Sequence, residues 1–191
     1  MTSGQVLFHI LFVCTGNLCR SPLAERLTRS ALGPPFVVTS AGTHAEPGVE
    51  MAERSRQVLV GLGGDPDGFV SQPLTAELLA GADLVLTAAR EHRAEAVTRH
   101  LQAAPRVFTI VEFGALAAAA EREQITCHRD AVRRANALVE QAQALRGLVT
   151  VDRPDIPDPM GRWVWAHKAA GRRIAKALSV PLELLKQPWS S

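Results

Sequence analysis

Short solid apolar runs alternate along this chain with longer stretches in which apolar residues recur every three or four positions. The first run, Val6 to Val13, is apolar except at His9 and ends in Cys14-Thr15-Gly16-Asn17. A short run without internal alternation suits a central parallel strand, which is buried on both faces. Helical spacing follows from Ser21 and Pro22 to Leu32; proline is tolerated in a first turn, where its missing N–H has no intrahelical partner anyway. Gly33, Pro34 and Pro35 end that helix. Further strands are predicted at Phe36 to Thr39, Asp83 to Thr87 and Arg106 to Ile110. Helices are predicted from about Val49 to Leu62, at Thr75 to Leu79 with Thr75 as cap, and at Arg90 to Gln102.

Strand and helix thus alternate four times. That order predicts an α/β fold, a four-stranded parallel sheet with helices on both faces. Ligands of such sheets bind at the carboxyl ends of the strands, which is where Cys14 falls. Beyond Glu112 the pattern changes. Ala115 to Ala120 is alanine-rich, and Arg129 to Leu145 predicts one amphipathic helix carrying Val132, Ala135, Leu138, Val139 and Ala142. Val151 to Arg162, rich in Pro and Asp, reads as loop, and Trp163 to Leu178 as a closing helix. No repeat or linker divides the chain, so one domain over residues 1–191 is expected, with an additional helical segment at about 114–151.

Composition sharpens this picture by exclusion. With 47% hydrophobic and 21% charged residues the chain is ordinary globular material, and a net charge of +2 gives no reason to expect a nucleic-acid partner. No run approaches the length of a membrane span, and no positive charge precedes the first apolar run as a signal peptide requires. Cys14, Cys19 and Cys127 are too few, and odd in number, for a disulfide framework. A reducing, cytoplasmic setting away from membranes is expected. The six histidines show no metal-ligand spacing, so neither a metal nor another cofactor is expected.

The chemistry concentrates in Cys14-Thr15-Gly16-Asn17-Leu18-Cys19-Arg20-Ser21-Pro22. A loop entering a helix aims successive backbone N–H groups at one point, and the helix dipole adds positive potential there. Such a cradle, formed by residues 15 to 21, holds a phosphate or another oxyanion and stabilises a thiolate. Arg20 can fold back over it, its planar fork matching two phosphoryl oxygens. Gly16 permits a turn that a side chain would obstruct, Asn17 can brace the loop, and Ser21 can donate a hydrogen bond to the Cys14 sulfur. A nucleophilic Cys14 needs a proton donor for the leaving group; Asp152, Asp155 and Asp158 all lie in one proline-rich loop, and spacing alone does not choose among them.

The loop resembles the signature of the low-molecular-weight protein tyrosine phosphatases. Supporting similarity comes from Ser40-Ala41-Gly42-Thr43, Ala82 to Thr87, Arg106 to Thr109 and Asp158-Pro159. The resemblance implies hydrolysis of phosphotyrosine in a protein substrate through a cysteinyl-phosphate, with Cys14 as nucleophile, Arg20 as anion clamp and Asp158, which precedes proline, as general acid. It also implies that Cys19 can pair with Cys14 under oxidation. Several positions depart from the family's pattern. Met160 stands where an aromatic often follows the Asp-Pro pair. Phe69 stands where many relatives carry a histidine that braces the loop asparagine, which leaves Asn17 to find another partner such as Ser40. Leu18 occupies the position that is threonine in phosphoarginine-directed relatives, favouring an aryl phosphate. Phosphoarginine hydrolysis, arsenate reduction using Cys127, and phosphoprotein binding without turnover are the competing readings.

Overall fold

The computed structural model describes residues 6–186; the expectation of one domain over 1–191, and the leader reading of the first five residues, extend beyond these. Four parallel strands, β1 (Phe8–Cys14), β2 (Phe36–Gly42), β3 (Leu84–Thr87) and β4 (Val107–Thr109), lie in the order β2-β1-β3-β4. All three pairings are parallel, with Cys14 opposite Gly42 and Val13 opposite Thr87. The predicted α/β class is therefore the observed one. The strand order reverses at β1, so the crevice beyond its carboxyl end is the topological switch point of the sheet.

Among the described residues, eight α-helices surround the sheet: α1 (Arg20–Ala31), α2 (Glu53–Gly61), α3 (Ala76–Gly81), α4 (Arg90–Arg99), α5 (Ile110–Ala119), α6 (Arg122–Thr126), α7 (Ala131–Leu145) and α8 (Val164–Leu185). The period-2 geometry of strands sorts the core into two layers. Phe8, Ile10, Phe12, Leu84, Leu86 and Phe108 face one side, with buried residues of α1, α2, α5, α7 and α8. Leu11, Val13, Val85 and Val107 face the other, with Leu79 of α3, Ala96 of α4 and Ala103.

Several boundaries differ from the sequence expectation, β2 among them, which continues past Thr39 to Gly42 in register with β1. Helix α2 begins at Glu53, not Val49, because Val49 is tied to the facing loop: its N–H donates to Ser71 Oγ and its carbonyl accepts from Ser71 N. Helix α4 stops at Arg99 and gives way to a 3-10 turn over Leu101–Arg106 that contains Pro105. Ile110 belongs to α5 and not to β4, because Thr109 and Glu112 form a capping box that starts a helix there. Helix α8 runs on past Leu178 and through Pro181, its last turn held by buried Leu184 and Leu185. Pro181 has no N–H for the carbonyl of Ala177. Helix α5 approaches that same carbonyl so closely at Gly114 that a Cβ would lie 2.3 Å from it.

Within 114–151 the chain forms the end of α5, all of α6 and α7, and their connections. Helix α7 buries Ala135, Leu138 and Ala142 in the main core. Arg134, fully buried, donates to the carbonyls of His128, Arg129 and Leu185, joining the start of α7 to the end of α8.

Candidate active site

The turn between β1 and α1 is fastened from behind. The carbonyl of Cys14 accepts from Thr43 N, that of Thr15 from His44 N, and that of Leu18 from Ala52 N. With the carbonyls drawn outward, no acceptor among the described residues takes the N–H groups of residues 16–20. Asn17 adopts φ of 53°, a conformation asparagine tolerates better than most residues. These amides crown the N-terminus of α1, where no acidic side chain competes for them in the first turn.

Asn17 is wholly buried and satisfied on both sides of its amide. Its Nδ2 donates to Ser21 Oγ at 2.9 Å and to Ser40 Oγ at 2.8 Å, and its Oδ1 accepts from Gln72 N at 2.9 Å. Ser40 in turn donates to Glu25 Oε2 at 2.6 Å. Glu25 is buried, and its charge is met by Arg26 and Arg29. Phe69, where a histidine brace was missing, packs in the core with Arg26 over its ring. Ser40 is the replacement partner that the sequence suggested; Gln72 and Glu25 complete the brace and were not foreseen.

Cys14 Sγ lies 3.0 Å from Ser21 Oγ. Because that oxygen accepts from Asn17, its own proton is available to the sulfur; the other acceptor, Ala41 O, is at a weaker 3.4 Å. Cys19 is also buried and is a free thiol, as Cys14 is. Burial foremost, against a side-chain hydrogen bond from Ser55, raises its pKa to about 11, so Cys19 stays protonated at neutral pH.

Arg20 is buried with its guanidinium directed into the site. Its Nη1 donates to Ile156 O at 3.1 Å, and its Nη2 donates to Thr15 Oγ1 at 3.1 Å and to Asp158 Oδ2 at 2.8 Å. Of the three acids in the proline-rich loop, Asp158 is the one paired with Arg20, and about half of its side chain remains open to solvent. Its other oxygen accepts from Met160 N. Asp155 is occupied elsewhere: Arg90 binds both its oxygens and holds its pKa below the usual carboxylate range. Neither an ion pair nor a hydrogen bond holds the Asp152 side chain among the described residues.

His92 carries no motif in the sequence but belongs to the site. Its ring is buried, and its Nε2 shares a hydrogen bond of 2.9 Å with Thr15 Oγ1. Burial first, then the neighbouring Arg20 charge, hold its pKa below that of an ordinary histidine, so the ring is neutral at pH 7. One signal could have found it: His92 follows β3, the neighbour of β1, by five residues, and so falls at the same carboxyl edge of the sheet. Among the described residues no group of three or more His, Cys, Asp or Glu is arranged to hold a metal ion, and no helix is long and apolar enough to cross a membrane.

A turn with free amides, a thiol and a paired guanidinium thus meet at the switch point of the sheet. Residues 9–127 match the family model described as low molecular weight phosphotyrosine protein phosphatase. This chain belongs to that family. It is 37% identical over 111 residues to a protein-arginine-phosphatase of Bacillus subtilis (strain 168), covering 54% of this chain and 71% of that protein. It is 41% identical over 93 residues to the low molecular weight protein-tyrosine-phosphatase Etp of Escherichia coli (strain K12), covering 48% of this chain and 62% of Etp. The crystal structure of a low molecular weight protein tyrosine phosphatase from T. tengcongensis superposes with a TM-score of 0.68 at 27% identity, covering 92% of this chain and 98% of that one. Asp158 lies outside the matched span of the family model, so its case rests on its place beside Arg20.

Proposed function

We propose that this chain is a phosphatase that hydrolyses phosphotyrosine in protein substrates, by way of a cysteinyl-phosphate on Cys14. The observation that carries this reading is the convergence of Cys14 Sγ, unclaimed loop amides and the Arg20 guanidinium at one point. The amides of residues 15 to 21 and Arg20 hold three phosphoryl oxygens and stabilise the charge they carry during transfer. The Cys14 thiolate attacks phosphorus in line and the bond from phosphorus to the leaving oxygen breaks. Asp158 gives its proton to that oxygen. Asp158 then takes a proton from water, which attacks phosphorus and returns the electron pair to sulfur; the Ser21 hydroxyl steadies the departing thiolate.

Arg20 and Asp158 are paired at 2.8 Å. Phosphoryl oxygens that take over the guanidinium release the carboxyl toward the leaving group, and its partial exposure leaves room for that movement. Leu18 favours an aryl ring over a guanidino group. A second reading, hydrolysis of phosphoarginine, is favoured by the similarity to protein-arginine-phosphatases. Cys127, exposed at the end of α6 and apart from the loop, gives the arsenate reductase reading little support. The working protein is proposed to be cytoplasmic, with residues 114–151 as an embellishment of a single phosphatase domain.

Steady-state assays with p-nitrophenyl phosphate, phosphotyrosine and phosphoarginine, with Cys14→Ser as control, test this proposal. Turnover of the aryl substrates that Cys14→Ser abolishes supports it. Activity surviving that substitution overturns the mechanism, and phosphoarginine turnover exceeding that of phosphotyrosine selects the second reading.

A further inference from the structure

Helices α2 and α8 leave the site side by side. Ala52 N bonds the carbonyl of Leu18 in the loop, Arg54 bonds the carbonyl of Arg162, and Ser55 bonds His167. One turn further on, Gly171 fits against Val58 and Leu62, so the two helices run parallel away from the loop. Between their exposed faces lies an open groove of about 400 Å³, lined by Gln57, Val58, Gly61, Leu62, Val164, Lys168 and Arg172. Its floor is apolar, one wall carries two cations, and no acid lines it.

Two further features mark this groove as an interaction surface. Trp163 and Trp165, the chain neighbours of the groove-lining Val164, are 74% and 64% exposed, and Val164 and Met160 are exposed as well. Tryptophans set this far into solvent beside an apolar trough are typical of interaction anchors. The second feature is charge. Arg162, Lys168, Arg172, Arg173 and Lys176 follow one another with no acid between them, and none forms an ion pair among the described residues. The nearest acid on the facing helix, Glu53, is bonded by Gln57.

We propose that this groove docks an acidic, partly apolar segment flanking the phosphorylated residue, making the preferred substrates acidic phosphoproteins. This inference rests on the proposed phosphatase activity. Helix α8 rises roughly 12 Å between Val164 and Arg172, and an extended peptide advances roughly 3.3 Å per residue. Lys168 and Arg172 therefore lie roughly two and four peptide residues beyond Val164, and the acidic residues fall at those places on the side of the phosphoresidue that runs along the groove. An apolar residue nearer the phosphate rests on Trp163.

The test measures kcat/KM of the full chain on phosphotyrosyl peptides carrying acidic, neutral or basic residues at those places, N-terminal in one series and C-terminal in another. In one of the two series, acidic peptides are expected to exceed basic ones by about five- to thirtyfold at low salt, mainly through KM. Lys168→Glu with Arg172→Glu should abolish or invert that preference while leaving p-nitrophenyl phosphate turnover within about twofold of wild type. Trp163→Ala should raise KM for an acidic peptide with an apolar residue near the phosphate by about fivefold. Acidic and basic peptides within about twofold of each other in both series, or a preference that survives charge reversal, overturns the proposal. Sedimentation with phosphatidylserine vesicles that charge reversal abolishes, without peptide discrimination, assigns the surface to a membrane and overturns it as well. If wild type does not turn over p-nitrophenyl phosphate, the activity reading fails separately. Anisotropy of labelled acidic peptides then tests the groove alone: binding lost on charge reversal retains it, and no binding refutes it.

Discussion

Gly42 ends β2 directly behind the phosphate loop, and Gly42→Ala isolates how much depends on where that loop sits. A Cβ at this position would lie 2.5 Å from Thr15 O and 2.8 Å from both Asn17 N and the Ala45 methyl. Two of these neighbours are loop backbone and cannot rotate aside. Since real Cβ contacts begin at about 3.0 Å, the loop must recede from β2 by at least about 0.5 Å. The recoil pushes the amide of Asn17, and those coupled to it, off the position where phosphoryl oxygens are held. A displacement of about 1 Å at a catalytic constellation costs about a hundredfold, so the expected loss in kcat/KM is about ten- to a hundredfold. Overpacking of this kind costs about 1–3 kcal/mol of stability, which for a chain of this size lowers Tm by roughly 2–12 °C. The assay pairs p-nitrophenyl phosphate kinetics with inhibition by inorganic phosphate, which should weaken in parallel, and a melting curve confirms that the variant is folded. Gly81→Ala, at a position with nothing within 4 Å, is the control and should match wild type. Wild-type kcat/KM and unchanged phosphate inhibition in Gly42→Ala would refute the claim that the loop amides, held where they are, form the anion site.

Asp158→Asn should lower kcat by about 10²–10⁴-fold on substrates with poor leaving groups, whereas Asp155→Asn, which only releases Arg90 at the surface, should change kcat by less than about threefold. The reverse ranking would transfer the acid role to Asp155. Asn17→Ala removes three buried hydrogen bonds and places alanine at φ of 53°, so chemical denaturation should show a loss of about 2–4 kcal/mol, with kcat/KM falling as well. A loss under about 1 kcal/mol would contradict the brace. His92 and His167 are both held, chiefly by burial, below the pKa of about 6.5 they have when unfolded. The unfolded chain therefore takes up protons first as pH falls. Stability is complete above about pH 6.5 and declines as pH drops toward the folded values. Melting temperatures measured from about pH 7 to about pH 5 should fall, and His92→Gln should flatten that slope; an identical slope would show that His92 does not titrate in this way.

The sheet and the loop were legible because each leaves a local mark. A solid apolar run, a glycine-bearing turn and a helix-opening serine and proline sit together from Val6 to Pro22, so strand, loop and helix start are fixed by one contiguous stretch. The brace was only half legible. Ser40 could be named from the strand end near which it sits, but Glu25 and Gln72 reach Asn17 through tertiary packing that no spacing encodes. His92 was not legible: the histidines show no metal-ligand spacing, and its partner Thr15 is 77 residues away in the chain. Element ends failed where a side chain overrode the hydrophobic pattern. Glu112 closes a capping box that draws Ile110 out of the strand, and the buried Leu184 and Leu185 carry α8 through a proline that would be read as a stop. The choice among three loop aspartates was not decidable from spacing. It becomes physical only when Arg90 is seen to hold Asp155 and Arg20 to hold Asp158.

In the proposed reaction, phosphate passes through a covalent bond to the Cys14 sulfur. Rapid quench of Asp158→Ala with a good-leaving-group aryl phosphate, followed by peptide mapping under mild acid, measures that bond directly. The expected result is a single added phosphoryl group on the peptide containing Cys14, absent from Cys14→Ser. Phosphate found on another residue, or turnover in single-turnover mixing with no labelled peptide at any time, would contradict it.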